Sequence, residues 1–427
     1  MLKILKIALR NLARFHRRTL LTSTLITLGI VAVLLFIATA GSFKAMMIGQ
    51  FTDAVLGHLE VHRKGYVASI DNLPLNLNMQ PTMVRKVEQT LDKLDGVQAY
   101  SERVKFGAMF SNFTETTSVR VNGIDPDKET ATTPLMPGRI VEGSKQAPLL
   151  KPGEILIPTL LSRGMNVKLG DTIVLVATNR DGSVNGKTFV VRGIMEAVSG
   201  PSGRDAYIGI ADARTLLRMT EPEVSEIAIR LRDPGRLDQT YALLSQQIAA
   251  LTGQGGQPGG TAQPGKGGGG GLEVHTWAAL SPFSNIANMI DLLTVFIKIM
   301  LVSIVLISIL NVMVMAVYER IREIGTIAAI GTPPRRILAL FLTEGLLLGV
   351  GGAAVGTAIS LVAIYALNVR KLTFDFGMQQ GLVLSPSISV RDVATIAGLV
   401  VLMALLASLQ PAWKASRMDP VRALGHV

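Results

Sequence analysis

Cysteine is absent from this 427-residue chain. That excludes a disulfide framework, a thiolate nucleophile and any zinc site built on sulfur. Charge is scarce too: Asp, Glu, Lys and Arg make up 17% of the residues, against roughly 25% in ordinary soluble domains. Aromatic residues are 5% and histidines number five, so a metal centre has few donors to draw on. No HExxH, Ser/His/Asp or paired-carboxylate pattern stands out, and no catalytic, cofactor-binding or metal residue is predicted. What is abundant is aliphatic. The chain is 48% hydrophobic with a mean hydropathy of +0.40, a composition that excludes disorder for most of its length.

The apolar residues fall in four uncharged runs: Thr19–Phe43 (25 residues), Ile299–Tyr318 (20), Gly345–Val369 (25) and Val393–Trp413 (21). About 20 apolar residues cross a bilayer as a helix, and a helix is required there because each backbone amide must be satisfied within the segment. Four spans are therefore predicted, at 19–43, 292–318, 337–369 and 393–413. Ala38-Thr39-Ala40 looks like a signal-peptidase site, but the run before it far exceeds the roughly 7–15 residues of a signal core, so the first span is read as uncleaved. Lys298 and Glu344 lie near the ends of apolar runs and are read as snorkelling or interfacial. In the third span Gly345, Gly349, Gly352 and Gly356 form small-xxx-small pairs, which predicts close helix packing.

Charge orients the spans. Residues 1–18, 319–336 and 414–427 together hold +10 of the net +11, while 44–291 carries 25 basic and 25 acidic residues. Cytoplasmic flanks collect Lys and Arg, so both termini and the 319–336 loop are placed in the cytoplasm, with 44–291 and a shorter 370–392 loop on the other side. A basic juxtamembrane excess reflects topology and anionic lipid rather than nucleic acid, which is excluded as a partner. Lys3, Lys6, Arg10, Arg14 and Arg17 recur at three- and four-residue steps opposite Leu5, Ala8, Leu12 and Phe15. Residues 1–18 thus read as an amphipathic helix in the cytoplasmic interface.

The segment 44–291 has strand-like alternation at His58–Arg63, Val104–Phe110, Ser118–Ile124, Asp171–Ala177, Thr188–Arg192 and Ser225–Leu231, with amphipathic helices marked by Val84–Leu94 and Leu237–Leu251. An α+β domain is predicted, with a small β-rich part at about 140–215. Asp181-Gly182 and Asn185-Gly186 read as a hairpin tip. His58, Glu60 and His62 share one strand face and are read as a polar surface rather than a metal site. Residues 253–271 hold 11 glycines and read as a flexible linker. Within it, Gly260–Gly267 nearly matches a phosphate-binding loop but lacks the Ser or Thr that would bind Mg²⁺, and it has no flanking strand or helix.

Three segments carry a family likeness. Leu5-Lys-Ile-Ala-Leu-Arg-Asn-Leu-Ala-Arg14 leading to Arg18-Thr-Leu-Leu21, Glu319-Arg-Ile-Arg-Glu-Ile-Gly325-Thr-Ile-Ala-Ala-Ile-Gly331 through Glu344-Gly, and Pro411-Ala-Trp-Lys-Ala-Ser-Arg417-Met-Asp-Pro420-Val-Arg-Ala-Leu424 resemble the opening, cytoplasmic loop and C-terminal signature of MacB/FtsX-type ABC transporter permeases. Gly153-Glu-Ile-Leu-Ile-Pro158, Val167-Lys-Leu-Gly-Asp171 and Phe189-Val-Val-Arg-Gly193-Ile are similar to the MacB-like periplasmic core domain. His275-Thr-Trp277 with Ser281-Pro-Phe leans toward the lipoprotein-releasing LolC/LolE branch.

The resemblance implies an inner-membrane permease paired with a separate cytoplasmic ATPase dimer that binds the ATP and Mg²⁺. It further implies a second permease copy or paralogue, and lipoprotein or other hydrophobic cargo handled at the outer face of the inner membrane. In that branch a hairpin recruits a periplasmic carrier; the matching position is about Thr178–Lys187, here short and without an apolar, proline-rich tip. Glu319, Arg320, Arg322 and Glu323 would contact the ATPase, Gly325 and Gly331 would break the helix, and Thr332-Pro333-Pro334 would start the next one. The alternative is an FtsX-like signalling module that activates cell-wall hydrolases, whose outer segment is usually much smaller than 44–291.

Overall fold

The computed structural model describes residues 2–196, 204–251, 271–281, 283–376 and 379–419. Nearly all of the glycine-rich stretch, including its phosphate-loop lookalike, and the C-terminal signature from Pro420 onward lie outside the described residues. The chain divides into two units: Met1–Met46 with Ala287–Phe374 and Leu382–Val427, and Met47–Ile286 with Asp375–Gly381.

The first unit is built on four helices long and apolar enough to cross a membrane: His16–Phe51, Ser284–Glu319, Pro334–Arg370 and Val390–Ser416. They outrun the uncharged segments because a charge ends an apolar run without ending a helix. Between Lys44 and the helix end at Phe51 there is no proline, and the single Gly49 is too weak a breaker to stop a helix. A 36-residue helix is about 54 Å long, well beyond the roughly 30 Å hydrocarbon core. The packed seam follows helical spacing. Ile26, Ile30, Val33 and Ile37 of the first helix meet Val305, Ile309 and Met313 of the second, and Phe341, Leu348 and Ala353 of the third with Val400, Ala404 and Ala407 of the fourth complete it. Leu292, Phe296 and Ile299 of the second helix are exposed, as suits side chains facing lipid. A separate helix, Leu2–Arg14, precedes the first span, with a break at Phe15. Its Ala8 is buried.

The second unit is a mixed sheet with helices. Its strands are β1 (Leu59–Arg63), β2 (Val97–Ser111), β3 (Thr116–Ile124), β4 (Ile140–Gly143), β5 (Glu154–Pro158), β6 (Thr172–Thr178), β7 (Val184–Met195), β8 (Asp205–Gly209), β9 (Glu226–Leu231) and β10 (Leu272–Thr276). The order is β10-β1-β9-β2-β3-β8-β5-β7-β4, with β6 pairing β2 and β7. The β3–β8 and β5–β7 pairs are parallel. Leu372–Phe376 and Gln379–Leu384 form a separate two-stranded sheet.

The β-rich part expected at about 140–215 has its own core but not its own sheet. Strand β2 is 15 residues long. Its first half pairs with β9 and its last four residues pair with both β3 and β6, so one ribbon belongs to both halves. On the β1–β9–β10 side, the helices Pro81–Leu91 and Leu237–Leu251 lay Val84, Val87, Leu244 and Ile248 on Leu59, Val61, Ile227 and Ile229. On the other side, Phe106, Phe110, Ile155, Leu175 and Phe189 pack with Leu161 and Leu216. Leu161 and Leu216 stand on the short helices Thr159–Gly164 and Ile210–Leu216. At six or seven residues, neither is long enough to show a helical period in the sequence.

Candidate functional site

The segment that joins the second and third spans is itself mostly helical. The second-span helix stops at Glu319, Arg320 leaves helical geometry (φ −113°, ψ 19°), and a nine-residue helix resumes over Ile321–Ala329. Gly331 takes φ +91°, a left-handed position that glycine occupies without strain. Pro333 is extended and Pro334 opens the next helix, where a missing N–H costs nothing.

The break at Arg320 decides which charges face inward. Arg320 is only 5% exposed. Its Nη1 donates to Glu344 Oε1 at 3.0 Å and its Nε donates to Glu323 at 3.1 Å. The guanidinium lies 5.6 Å from the ring centroids of both Phe15 and Phe341, within cation–π range. Glu344 is 1% exposed and also accepts from Asn11 Nδ2 at 2.7 Å. Arg14 pairs with Glu323 at 3.5 Å. Glu344 is thus buried in the bundle rather than snorkelling to water, because two donors, Asn11 and the charged Arg320, satisfy it where it stands. Lys298 is half-buried.

Of the four charged residues predicted to meet a partner, Arg320 turns into the bundle and Glu323 is half-buried against it, while Glu319 and Arg322 are exposed. Gly325 is buried and Gly331 exposed. The outward surface is completed by Ile330, 81% exposed, with Arg335 and Arg336. Sequence reasoning passed over Ile330 and Asn11. The spacing Ile324–Ile327–Ile330 was the available signal for the first, and nothing local marks the second.

The four glycines of the third span lie at close helix approaches. An added Cβ at Gly345 would clash with Ser408, and one at Gly349 would stand 2.6 Å from Ala404 Cβ; both neighbours are on the fourth span. At Gly352 and Gly356 it would stand 2.5 Å and 2.9 Å from Ile26 and Ile30 of the first span. One half of the stripe therefore receives one helix and the other half receives another.

In the sheet domain the hairpin at Thr178–Lys187 forms, with its turn at Asn179–Ser183. Gly182 has φ +82°, and Asp181 accepts from the backbone N–H of Ser183 at 2.9 Å. Asn185 and Gly186 are not at the tip. They pair in register with Ala177 and Val176, and Asn185 Nδ2 donates to Leu216 O. A turn of five residues uses only the first of the two glycine signals.

His58, Glu60 and His62 do not form a solvated face; all three are buried. His58 stands apart, its Nδ1 accepting from the Leu231 N–H. Glu60 and His62 meet Glu226 across β1 and β9, with Nε2 of His62 3.3 Å from Oε2 of each carboxylate. Arg103 Nη1 and Lys105 Nζ hold the other oxygen of Glu226 at 3.1 and 2.7 Å, and Arg103 also grips Glu129 with two nitrogens. The trio Glu60, His62 and Glu226 has metal-ligand proximity. Its charge is already matched: Glu60, Glu129 and Glu226 face Arg103, Lys105 and a protonated His62. A divalent cation would have to expel that proton and stand beside two fixed cations.

Burial opposes charge on His62, but its hydrogen bonds to Glu226 and Glu60 and their negative charge outweigh it and push its pKa up to about 9. Glu226 is held below its ordinary range, burial being overcome by Lys105, His62 and Arg103. A folded pKa raised from 6.5 to about 9 contributes stability that is complete below pH 6.5 and lost as pH rises through 9. The unfolding midpoint of the detergent-solubilised chain should therefore fall between pH 7 and 10. The His62→Gln variant should be less stable below about pH 9 and show a flatter dependence. An equal pH slope in both proteins would contradict the assignment.

Four bilayer-length helices, a short helical segment with an outward apolar and basic surface, and one large α/β domain between the first two spans describe a polytopic membrane protein. Residues 19–247 match the family of the MacB-like periplasmic core domain, and residues 295–420 match the FtsX-like permease C-terminal family. The chain belongs to the MacB/FtsX-type ABC transporter permeases, multi-pass proteins of the inner membrane. It is 22% identical over 94% of its length to the lipoprotein-releasing system transmembrane protein LolC of Neisseria meningitidis serogroup B, covering 92% of that protein. It is 20% identical over 93% of its length to the corresponding LolE of Haemophilus influenzae, again covering 92%. The periplasmic region of MacB from Actinobacillus actinomycetemcomitans aligns with 58% of the chain and 98% of its own length, at 10% identity and a TM-score of 0.37.

Proposed function

We propose that this permease couples ATP hydrolysis by a separate cytoplasmic ATPase dimer, which binds the ATP and Mg²⁺, to movement of its periplasmic domain. Through that movement it extracts or releases lipoprotein or other hydrophobic cargo at the outer face of the inner membrane. It acts with a second permease, either a copy of itself or a paralogue, and a periplasmic carrier is a candidate recipient. Both termini and the 320–333 segment lie in the cytoplasm. The names of the full-length relatives, LolC and LolE of lipoprotein-releasing systems, support the cargo class.

One observation carries the reading: the exposed Ile330, flanked by Arg322, Arg335 and Arg336, sits on a link of only 14 residues between two spans. A partner pressing on so short a link must move the spans it joins. An exposed apolar residue with exposed cations before and after it in the chain suits a partner surface with an apolar pocket and acidic groups. The combined change Ile330→Glu, Arg335→Glu should reduce the ATPase activity recovered with the tagged chain from membranes by about tenfold or more, the loss expected for a central contact worth ~1.4 kcal/mol or more. Full recovery of ATPase and unchanged lipoprotein release from spheroplasts would overturn the reading. A reporter fused after Val427 should be active only in its cytoplasmic form.

A further inference from the structure

The joint at Arg320 does something that the exposed surface does not. Three stretches of chain meet there: the N-terminal helix through Asn11 and Arg14, the start of the nine-residue helix through Arg320 and Glu323, and the third span through Glu344. Asn11 Nδ2 and Arg320 Nη1 converge on the same oxygen, Oε1 of Glu344. Arg320 alone separates the two helices and leaves helical geometry, so the helix is interrupted where the side chain is anchored. The guanidinium also lies within cation–π range of the Phe15 and Phe341 rings. A hydrophobic contact slides and a surface ion pair re-forms in many geometries. A desolvated guanidinium that gives Nη1 to Glu344 and Nε to Glu323 has few good geometries, and leaving them strands a charge away from water. Such a contact is either made or broken, the property a two-state transmission element needs.

We infer that Arg320, Glu344 and Asn11 form the transmission joint of the permease. They are positioning residues that make the ATPase-facing segment, the N-terminal helix and the third span move as one body. This rests on the coupling function proposed above. It adds that binding of the ATPase and transmission of its stroke reside in different residues: Ile330 and its neighbouring arginines for the first, the Arg320–Glu344–Asn11 contact for the second. Without the joint the ATPase still docks and still hydrolyses ATP, but the segment tilts about Arg320 without carrying the spans with it.

The test uses the complex purified with its ATPase and reconstituted in proteoliposomes loaded with a lipoprotein. Three quantities are read: ATPase co-purified, ATP hydrolysed, and lipoprotein released per ATP. Glu344→Gln should leave the first at the level of the unaltered chain, keep the second within about twofold and lower the third about tenfold. Arg320→Lys, which keeps the charge but loses the fork, should fall between. The reversed pair Arg320→Glu with Glu344→Arg should recover part of the release that Arg320→Glu alone loses. Unchanged release per ATP in Glu344→Gln would overturn the joint while leaving the coupling function standing. So would loss of ATPase association and release together in Glu344→Gln and Arg320→Lys, since that is the signature of a residue needed only for folding. Absence of any ATPase from the unaltered chain would overturn the coupling function and the joint with it.

Discussion

Glu226→Ala should lower the unfolding free energy by about 3–5 kcal/mol, the cost of stranding buried charge. Glu226 is fully buried and is the common partner of Lys105, Arg103 and His62. Its removal leaves Lys105 without its close partner, Arg103 with Glu129 and a distant Glu60, and His62 with only Glu60. His62 should then lose its proton in part, which softens the loss without cancelling it. Arg103→Leu should be comparably damaging, because Glu129 and Glu226 lose a shared donor. The exposed pair Arg236–Asp233 is the control, and Arg236→Ala should cost well under ~1 kcal/mol. Fluorescence of Trp277, next to β10, follows this domain in the full-length protein; the Trp413→Phe background removes the other tryptophan. A loss below ~1 kcal/mol for Glu226→Ala would mean that the ion cluster does not bind β1, β2 and β9 together.

Gly349→Leu and Gly356→Leu should each disrupt the helix bundle, by at least the ~1–3 kcal/mol of an overpacked core site. A Cβ at Gly356 would meet not only Ile30 but also the backbone oxygen of Thr27 at 3.2 Å. The neighbour that must yield is helix backbone, which cannot rotate out of the way as a side-chain end can. In lipid, helices are held by close van der Waals contact rather than by water expulsion, so a separation of even an ångström removes much of the attraction. The measurable result is a smaller monodisperse fraction in detergent and a lower thermal midpoint. Gly351 has open space where its Cβ would be, and Gly351→Leu should leave both unchanged. If Gly349→Leu behaved like Gly351→Leu, the third and fourth spans would not pack along this seam.

Much of the architecture was legible because it depends on local pattern. The four spans follow from uncharged runs, and six strands and two long helices follow from alternation and three-to-four spacing. The continuity of the sheet did not, because β2 reads the same whether its two ends serve one sheet or two, and only its pairing with β9 at one end and β6 at the other decides. Helix ends were also hidden. Lys44 and Asp291 interrupt the apolar runs yet pair with each other while their helices continue.

At the site, the sequence marked the right loop and could not tell Arg320 from Arg322. The two are equivalent in charge and lie two positions apart, and a single non-helical residue resets the phase that decides which one enters the bundle. Glu226 was invisible as a partner of Glu60, since they are 166 positions apart and neighbours only because β9 lies beside β1.

By itself, then, the sequence determined the class of solvent each segment requires, the number of bilayer-length helices, the location of the charged link and the family. These depend on composition and period, which are properties of neighbouring residues. Only the tertiary structure decided which arginine is anchored, which helix each glycine admits and that two glutamates share one protonated histidine. Burial and pairing are set by which distant segments come into contact, and no property of a local stretch encodes that.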